Sequence, residues 1–158
     1  MRLADLWGFC EAQTMSEVSP AMHEEFVLPY QLPILQRFGL NSYGCCEPLD
    51  RKPEFLMARV ARLRRVSISP WADVRRSAEQ LQGDAIFSWK PNPALPAGVS
   101  FDEDAVRRDL RETLKVASEH GCAIEIILKD THTCNCDTQR FDRWALIARS
   151  EAEDFAGS

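Results

Sequence analysis

The sequence predicts an α/β domain in which strands alternate with helices and collect into one parallel sheet. Three observations carry this. Short apolar runs at 40–46, 65–69, 85–89 and 123–129 read as buried strands. Between them lie segments with apolar residues at helical spacing, long enough to be crossovers. Serine, aspartate and proline starts and glycine stops punctuate those segments. The 158 residues suffice for a core of their own, and no Pro/Gly/Ser-rich linker divides them. One domain over 1–150 is expected, with a frayed tail at 151–158.

Each element has its own signal. Residues 3–8 form a short first strand. Ser19 and Pro20 open a helix, with the hydroxyl as N-cap and proline in the first turn. Met22, Phe26, Tyr30, Ile34 and Phe38 recur along it, and Gly39 stops it. Pro29 and Pro33 sit inside the pattern and remove backbone donors, so a kink or break is expected. The strand at 40–46 runs into a loop at 47–50. Pro53 opens a helix through 63, with Phe55, Leu56, Val60 and Leu63 inward. The strand at 65–69 ends at Pro70 and Trp71, and Asp73 caps a helix to 81 that Gly83 closes.

The strand at 85–89 ends in Lys90-Pro91-Asn92-Pro93, where two prolines impose an extended loop. Ser100 and Glu103 form a capping box for a long helix to 120, whose stripe is Val106, Leu110, Leu114 and Ala117. The strand at 123–129 leads into the loop 130–136. Asp137 or Thr138 then caps a last helix with Phe141, Trp144, Ala145 and Ala148 on its buried side.

Composition narrows the partners. With 19 basic and 24 acidic residues mixed along the chain, net charge −5, there is no concentrated basic face for nucleic acid. The densest basic run, Arg59 to Arg65, reads as a solvated face. No apolar run is long enough for a membrane span. The first residues lack a secretory pattern, so a cytoplasmic setting with six reduced thiols is expected.

Unusual polar residues collect where strands end: Tyr43, Cys45, Cys46 and Glu47; Ser69, Trp71 and Asp73; Lys90 and Asn92; Asp130 and His132. In parallel α/β sheets and barrels, ligands bind at the C-terminal strand ends, so these loops converge on one rim that receives a small-molecule substrate. If the strand alternation continues, Tyr43, Cys45 and Glu47 share a face, and a thiolate and a carboxylate two residues apart supply two ligands to one metal ion. The alternative is a buried pair of free cysteines. Lys90 holds an anionic group of the substrate or is a snorkelling surface lysine. Asp130 orients His132 and raises its basicity, or His132 bonds only local backbone. Trp71 lines a pocket or covers the core, and Asp73 is a helix cap. Cys134 and Cys136 lie near His132 as loop thiols.

Tyr43-Gly44-Cys45-Cys46-Glu47-Pro48, Ser67-Ile68-Ser69-Pro70-Trp71-Ala72-Asp73, Lys90-Pro91-Asn92-Pro93 and Lys129-Asp130-Thr131-His132-Thr133 together resemble the C-terminal half of proteins in the uroporphyrinogen decarboxylase/cobalamin-independent methionine synthase superfamily. The resemblance spans residues 9–149 and is to an uncharacterised branch. It implies a partial (β/α)8 TIM barrel of four to five C-terminal βα units, on residues 1–150. Methyltransferases of that superfamily hold zinc with a His-x-Cys pair and a further cysteine, and methylate a thiol from a corrinoid or folate donor. Here Tyr43-Gly44-Cys45 stands at the His-x-Cys position.

The resemblance therefore implies zinc on Cys45, Cys46, Glu47 and His132, with Lys90, Asn92, Ser69 and Trp71 around the substrate. A second implied activity is a metal-independent carboxy-lyase, in which Lys90, Tyr43, Asp130 and His132 bind and protonate an anionic substrate. A third reading is an inactive barrel fragment. A full barrel takes about 250 residues. The half is expected to expose an apolar inner face and two open edges, and to self-associate or meet a second chain that completes the barrel.

Overall fold

The computed structural model describes residues 1–157. Five strands, β1 (Trp7–Cys10), β2 (Leu40–Tyr43), β3 (Leu63–Ile68), β4 (Ile86–Trp89) and β5 (Ile124–Ile126), pair in chain order as one sheet, every neighbour parallel. The α/β class read from the sequence is thus observed. Seven helices connect and follow the strands: α1 (Pro20–Phe26), α2 (Leu28–Leu35), α3 (Pro53–Arg59), α4 (Val74–Leu81), α5 (Ala94–Ala97), α6 (Glu103–Glu119) and α7 (Gln139–Ala156). No helix among the described residues is long and apolar enough to cross a membrane.

A strand order that always steps the same way, with right-handed crossovers, stacks all the helices on one face. The core lies on that face: Tyr43, Val66, Ile68, Phe87 and Trp89 from the sheet pack with Leu28, Leu35, Leu56, Leu81 and Ala117 from loops and helices. A second cluster joins Val106 and Leu110 of α6 to Trp144, Ile147 and Ala148 of α7. The register slips between Asn41 and Ser42, so that both Leu63 and Val66 reach the core although three residues apart in β3.

The opposite face carries Trp7, Phe9, Ser42, Arg65, Ser67, Ser88 and Glu125, matched by the parallel register. An apolar inner face was expected here. Its centre is instead polar, because the strands place serines and an ion pair there. Arg65 Nη2 donates to Glu125 Oε2 at 3.0 Å, and Nε lies 2.6 Å from Oε1, bridging β3 to β5 above β4. The same guanidinium sits 4.9 Å from the Trp7 ring centre, a cation–π contact that reaches β1. Apolar exposure survives at the β1 edge, with Phe9 56% exposed.

Several elements differ from the sequence expectation. The long helix at 20–38 breaks at Val27 into α1 and α2, and Pro29 falls in the first turn of α2, where its missing donor costs least. Ser19 caps α1 as expected, accepting from Met22 N–H at 3.2 Å. The apolar stripe of that segment faces outward: Phe26 is 59% and Tyr30 78% exposed, while His23, Leu28 and Leu35 turn inward. The break at Val27 rotates the two short helices independently, so one continuous periodicity misassigns the face.

The helix from Pro53 ends at Arg59, and Leu63 begins β3 instead. Asp102, not the Ser100/Glu103 box, caps α6, accepting from Ala105 N–H at 2.9 Å. Strand β5 is only three residues long, having a single partner strand at the sheet edge. Residues 151–156, expected to fray, continue α7; Ser158 lies outside the described residues.

The reason α7 persists is Glu151. It is buried, and its carboxylate accepts from Arg107 Nη1 at 2.8 Å and from Arg111 Nε at 2.6 Å, clamping α7 to α6. The Arg111 hydrogen bond lowers the Glu151 pKa below its ordinary 4.5, against the opposing effect of burial, with Arg107 adding to the lowering. A depressed carboxylate pKa contributes stability that is fully present above about 4.5 and is lost as pH falls through the lower folded value. Acid titration of the wild type should therefore show a loss of stability below pH 4.5 that is reduced in Glu151→Gln, read by urea unfolding at each pH.

Candidate functional site

Because every strand is parallel, all C-terminal ends share one rim, and the loop after β2 meets the loop after β5. Gly44 makes this possible. Its φ of +89° ends the strand alternation, and a Cβ there would lie 2.3 Å from Leu49 Cδ1. Past that turn the two adjacent cysteines, which a continued strand would send to opposite faces, point together, their sulfurs 3.4 Å apart.

Lys129 arrives from the end of β5, 84 residues further on, and donates to Cys45 Sγ at 3.2 Å and Cys46 Sγ at 2.6 Å. Asp130, in the left-handed region at φ 57°, turns its carboxylate back to within 3.3 Å of both the Lys129 ammonium and Cys46 Sγ. Burial raises the Cys45 thiol to about 11, with Cys46 adding to the rise and Lys129 opposing it. Burial works against the Lys129 charge, but the two sulfurs outweigh it and lift this lysine above the ordinary range.

Lys90 stands on the same open face at the end of β4. It is 7% exposed, curls back, and donates to Ser88 O at 3.0 Å and to Ser88 Oγ. Burial drives its ammonium from 10.5 down to about 8; Glu125 opposes the drop, and Lys129 and Arg65 add to it. An amine at that value exchanges a proton near neutrality, which an ordinary lysine does not do. Beside the thiols a depression of about 390 Å³ is lined by Gln13, Ser16, Cys46, Glu47, Pro48 and Trp71.

The remaining expected residues are placed as follows. Tyr43 is fully buried on the helix-covered face, not the rim. Its hydroxyl donates to Gln31 Oε1 at 2.6 Å and receives His23 Nε2–H at 2.7 Å. Burial, with help from Lys52, pushes His23 to about 4, so this imidazole is neutral. Tyr43 is raised above the ordinary tyrosine range, chiefly by burial. Glu47 is 1% exposed, and its two oxygens accept from Ala12 N–H and Cys45 N–H, each at 2.9 Å. This carboxylate holds the N-terminal segment against the thiol loop.

His132 is exposed on the loop after β5, with its N–H on Asp130 O at 3.1 Å. Ser69 is buried, with its hydroxyl unpaired. Trp71, 68% exposed, lines the depression. Asn92 accepts from Ala94 N–H at 2.9 Å and shapes the start of α5. Asp73 caps α4, accepting from Arg76 N–H at 3.0 Å.

Sequence reasoning missed Lys129, Arg65, Glu125 and His23. Lys129 and Glu125 were passed over as ordinary strand residues and Arg65 as one of a solvated run. The available signal was three ionisable side chains within strands otherwise apolar. Among the described residues no three His, Cys, Asp or Glu side chains are arranged to hold a metal ion. Of the residues expected to hold zinc, Glu47 accepts from the Ala12 and Cys45 amides, His132 is exposed on its loop, and the Lys129 ammonium lies beside the Cys45 and Cys46 sulfurs. Comparison with protein-family models, with curated proteins and with solved structures gives no match for this chain.

Proposed function

We propose that the open face and rim form half of an enzyme site that binds a carboxylated small molecule and transfers a proton to it, in the manner of a metal-independent, uroporphyrinogen decarboxylase-like carboxy-lyase. The observation that carries this is Lys90, buried, near pKa 8 and facing Arg65 and Lys129. Loss of carbon dioxide leaves a carbanion that must be protonated at carbon. An ammonium whose pKa lies near neutrality is a competent acid for that step. Arg65 and Lys129 offer cationic contacts for substrate carboxylates, guanidinium binding in a bidentate way and ammonium as a point charge.

In this reading the chain contributes the C-terminal half of a (β/α)8 barrel, and a second copy or another chain supplies the rest along the free edges of β1 and β5. The test is anaerobic incubation with a reduced octacarboxylic porphyrin, counting carboxyl groups lost by chromatography. Turnover that survives a chelator supports the reading; absence of turnover in a demonstrably closed oligomer removes it. A second reading, methyl transfer to a thiol from a corrinoid or folate donor, is favoured by Cys45 and Cys46 meeting at the rim. Demethylation of methylcobalamin in the presence of a thiol acceptor, lost in Cys45→Ser, would select it.

A further inference from the structure

The two adjacent sulfurs and the ammonium upon them suit a ligand that neither activity above requires. We propose that Cys45 and Cys46 form a chelating dithiol for a neutral trivalent metalloid oxyacid, of the arsenous-acid class, or its monoorgano derivative, with Lys129 binding the one hydroxyl oxygen that the oxyacid, unlike its monoorgano derivative, retains.

Geometry disfavours the two commoner fates of a cysteine pair. A disulfide needs sulfurs about 2.05 Å apart on Cα atoms about 4.4–6.8 Å apart. Adjacent residues hold their Cα atoms only about 3.8 Å apart, and these sulfurs rest at 3.4 Å. That gap is too long for an S–S bond and suits a single bridging atom: two metal–sulfur bonds of about 2.3 Å span a comparable distance. A structural divalent metal needs about four ligands. Here Lys129 stands 3.2 and 2.6 Å from the sulfurs and repels a dication.

An uncharged, thiophilic centre that needs only two protein sulfurs meets both restrictions. Its remaining oxygen accepts from the Lys129 ammonium, which Asp130 holds at 3.3 Å. Cys46 lines the 390 Å³ depression, so the ligand has an approach. The step balances without an oxidant. Each thiol sulfur displaces one hydroxyl from the trivalent centre, two S–element bonds form as two O–element bonds break, and each thiol proton leaves with its hydroxyl as water. The third substituent stays, and no oxidation state changes.

The experiment is titration of the reduced chain with phenylarsine oxide and with sodium arsenite, read by free-thiol count and intact mass. One equivalent of phenylarsine oxide should bind with loss of two titratable thiols. Cys45→Ser and Cys46→Ser should each weaken it about 100-fold, since chelation gains an effective-concentration factor of that order. The double variant Cys134→Ser/Cys136→Ser controls for the loop pair and should bind as the wild type does. Lys129→Met should keep phenylarsine oxide, lose about tenfold in arsenite affinity, and gain affinity for zinc.

Circular dichroism of each variant separates lost binding from lost fold. Binding that persists in Cys46→Ser and vanishes in the loop-pair variant overturns the proposal. So does stoichiometric zinc on the wild type that blocks the arsenical.

Discussion

Lys90→Met should make the protein more stable at pH 7 while removing its proton-transfer activity. The wild type carries an ammonium in a buried place, and the drop from 10.5 to about 8 corresponds to about 3 kcal/mol of penalty on the charged form. The bonds to Ser88 return about 1–1.5 kcal/mol of that, so the net gain for methionine is about 1–2 kcal/mol. The sign follows from the lowered pKa. Below about 8 the folded chain holds Lys90 charged and bears the full penalty. Between 8 and 10.5 the unfolded chain still binds the proton that the folded chain has released, so wild-type stability rises with pH.

The advantage of the methionine variant should therefore be largest below pH 8 and gone by 10.5. Urea unfolding from pH 6 to 10.5 measures it. A variant that is destabilised at every pH would show that Lys90 is a structural anchor. Activity in the carboxy-lyase assay should fall by about 10²–10⁴, the usual contribution of a positioned acid.

Glu47→Ala should cost about 3 kcal/mol. The substitution strips the acceptor from two backbone N–H groups, Ala12 and Cys45, in a place 1% exposed. Each buried donor left unpaired costs about 1–3 kcal/mol. It should also loosen the thiol loop, so that Cys45 and Cys46 react faster with a thiol reagent such as an aromatic disulfide. Glu47→Gln keeps one acceptor and turns an amide toward the other N–H, giving an intermediate loss. Denaturant midpoints of the three proteins, with thiol-reaction rates alongside, check both halves. If Glu47→Ala unfolds at the wild-type midpoint, the carboxylate does not hold the loop.

Much of this architecture is readable from residues alone, because its determinants are local. Strand–helix alternation, the Ser19 and Asp73 caps and a break within the 20–38 segment follow from hydrophobic period and turn chemistry, although the break falls at Val27 and Pro33 sits inside α2. Parallel strands then force polar strand ends onto one rim, which is why Cys45 and the loop after β5 come together. What escaped is non-local or depends on one backbone angle. Tyr43 was grouped with Cys45 by alternation, but Gly44 breaks the count, sending the phenol into the core and the thiol to the rim.

Glu47 looked like a ligand because its acid sits beside cysteines. That its partners are amide hydrogens of residues 12 and 45 depends on how the N-terminal segment returns over the loop. The stripe from Met22 to Ile34 is genuinely periodic, yet period does not say which side meets the sheet.

The strand order carries a consequence for how this chain acquires its fold. Every strand pairs with the strands before and after it in sequence. Each βα unit thus finds its template already laid down as synthesis proceeds, and the entropy of closing each loop stays modest. Contact between residues 46 and 129 spans 83 positions and waits for the fifth strand. A nascent chain should possess most of its sheet before it possesses its chemistry, and the thiols stand unguarded until the last lysine docks.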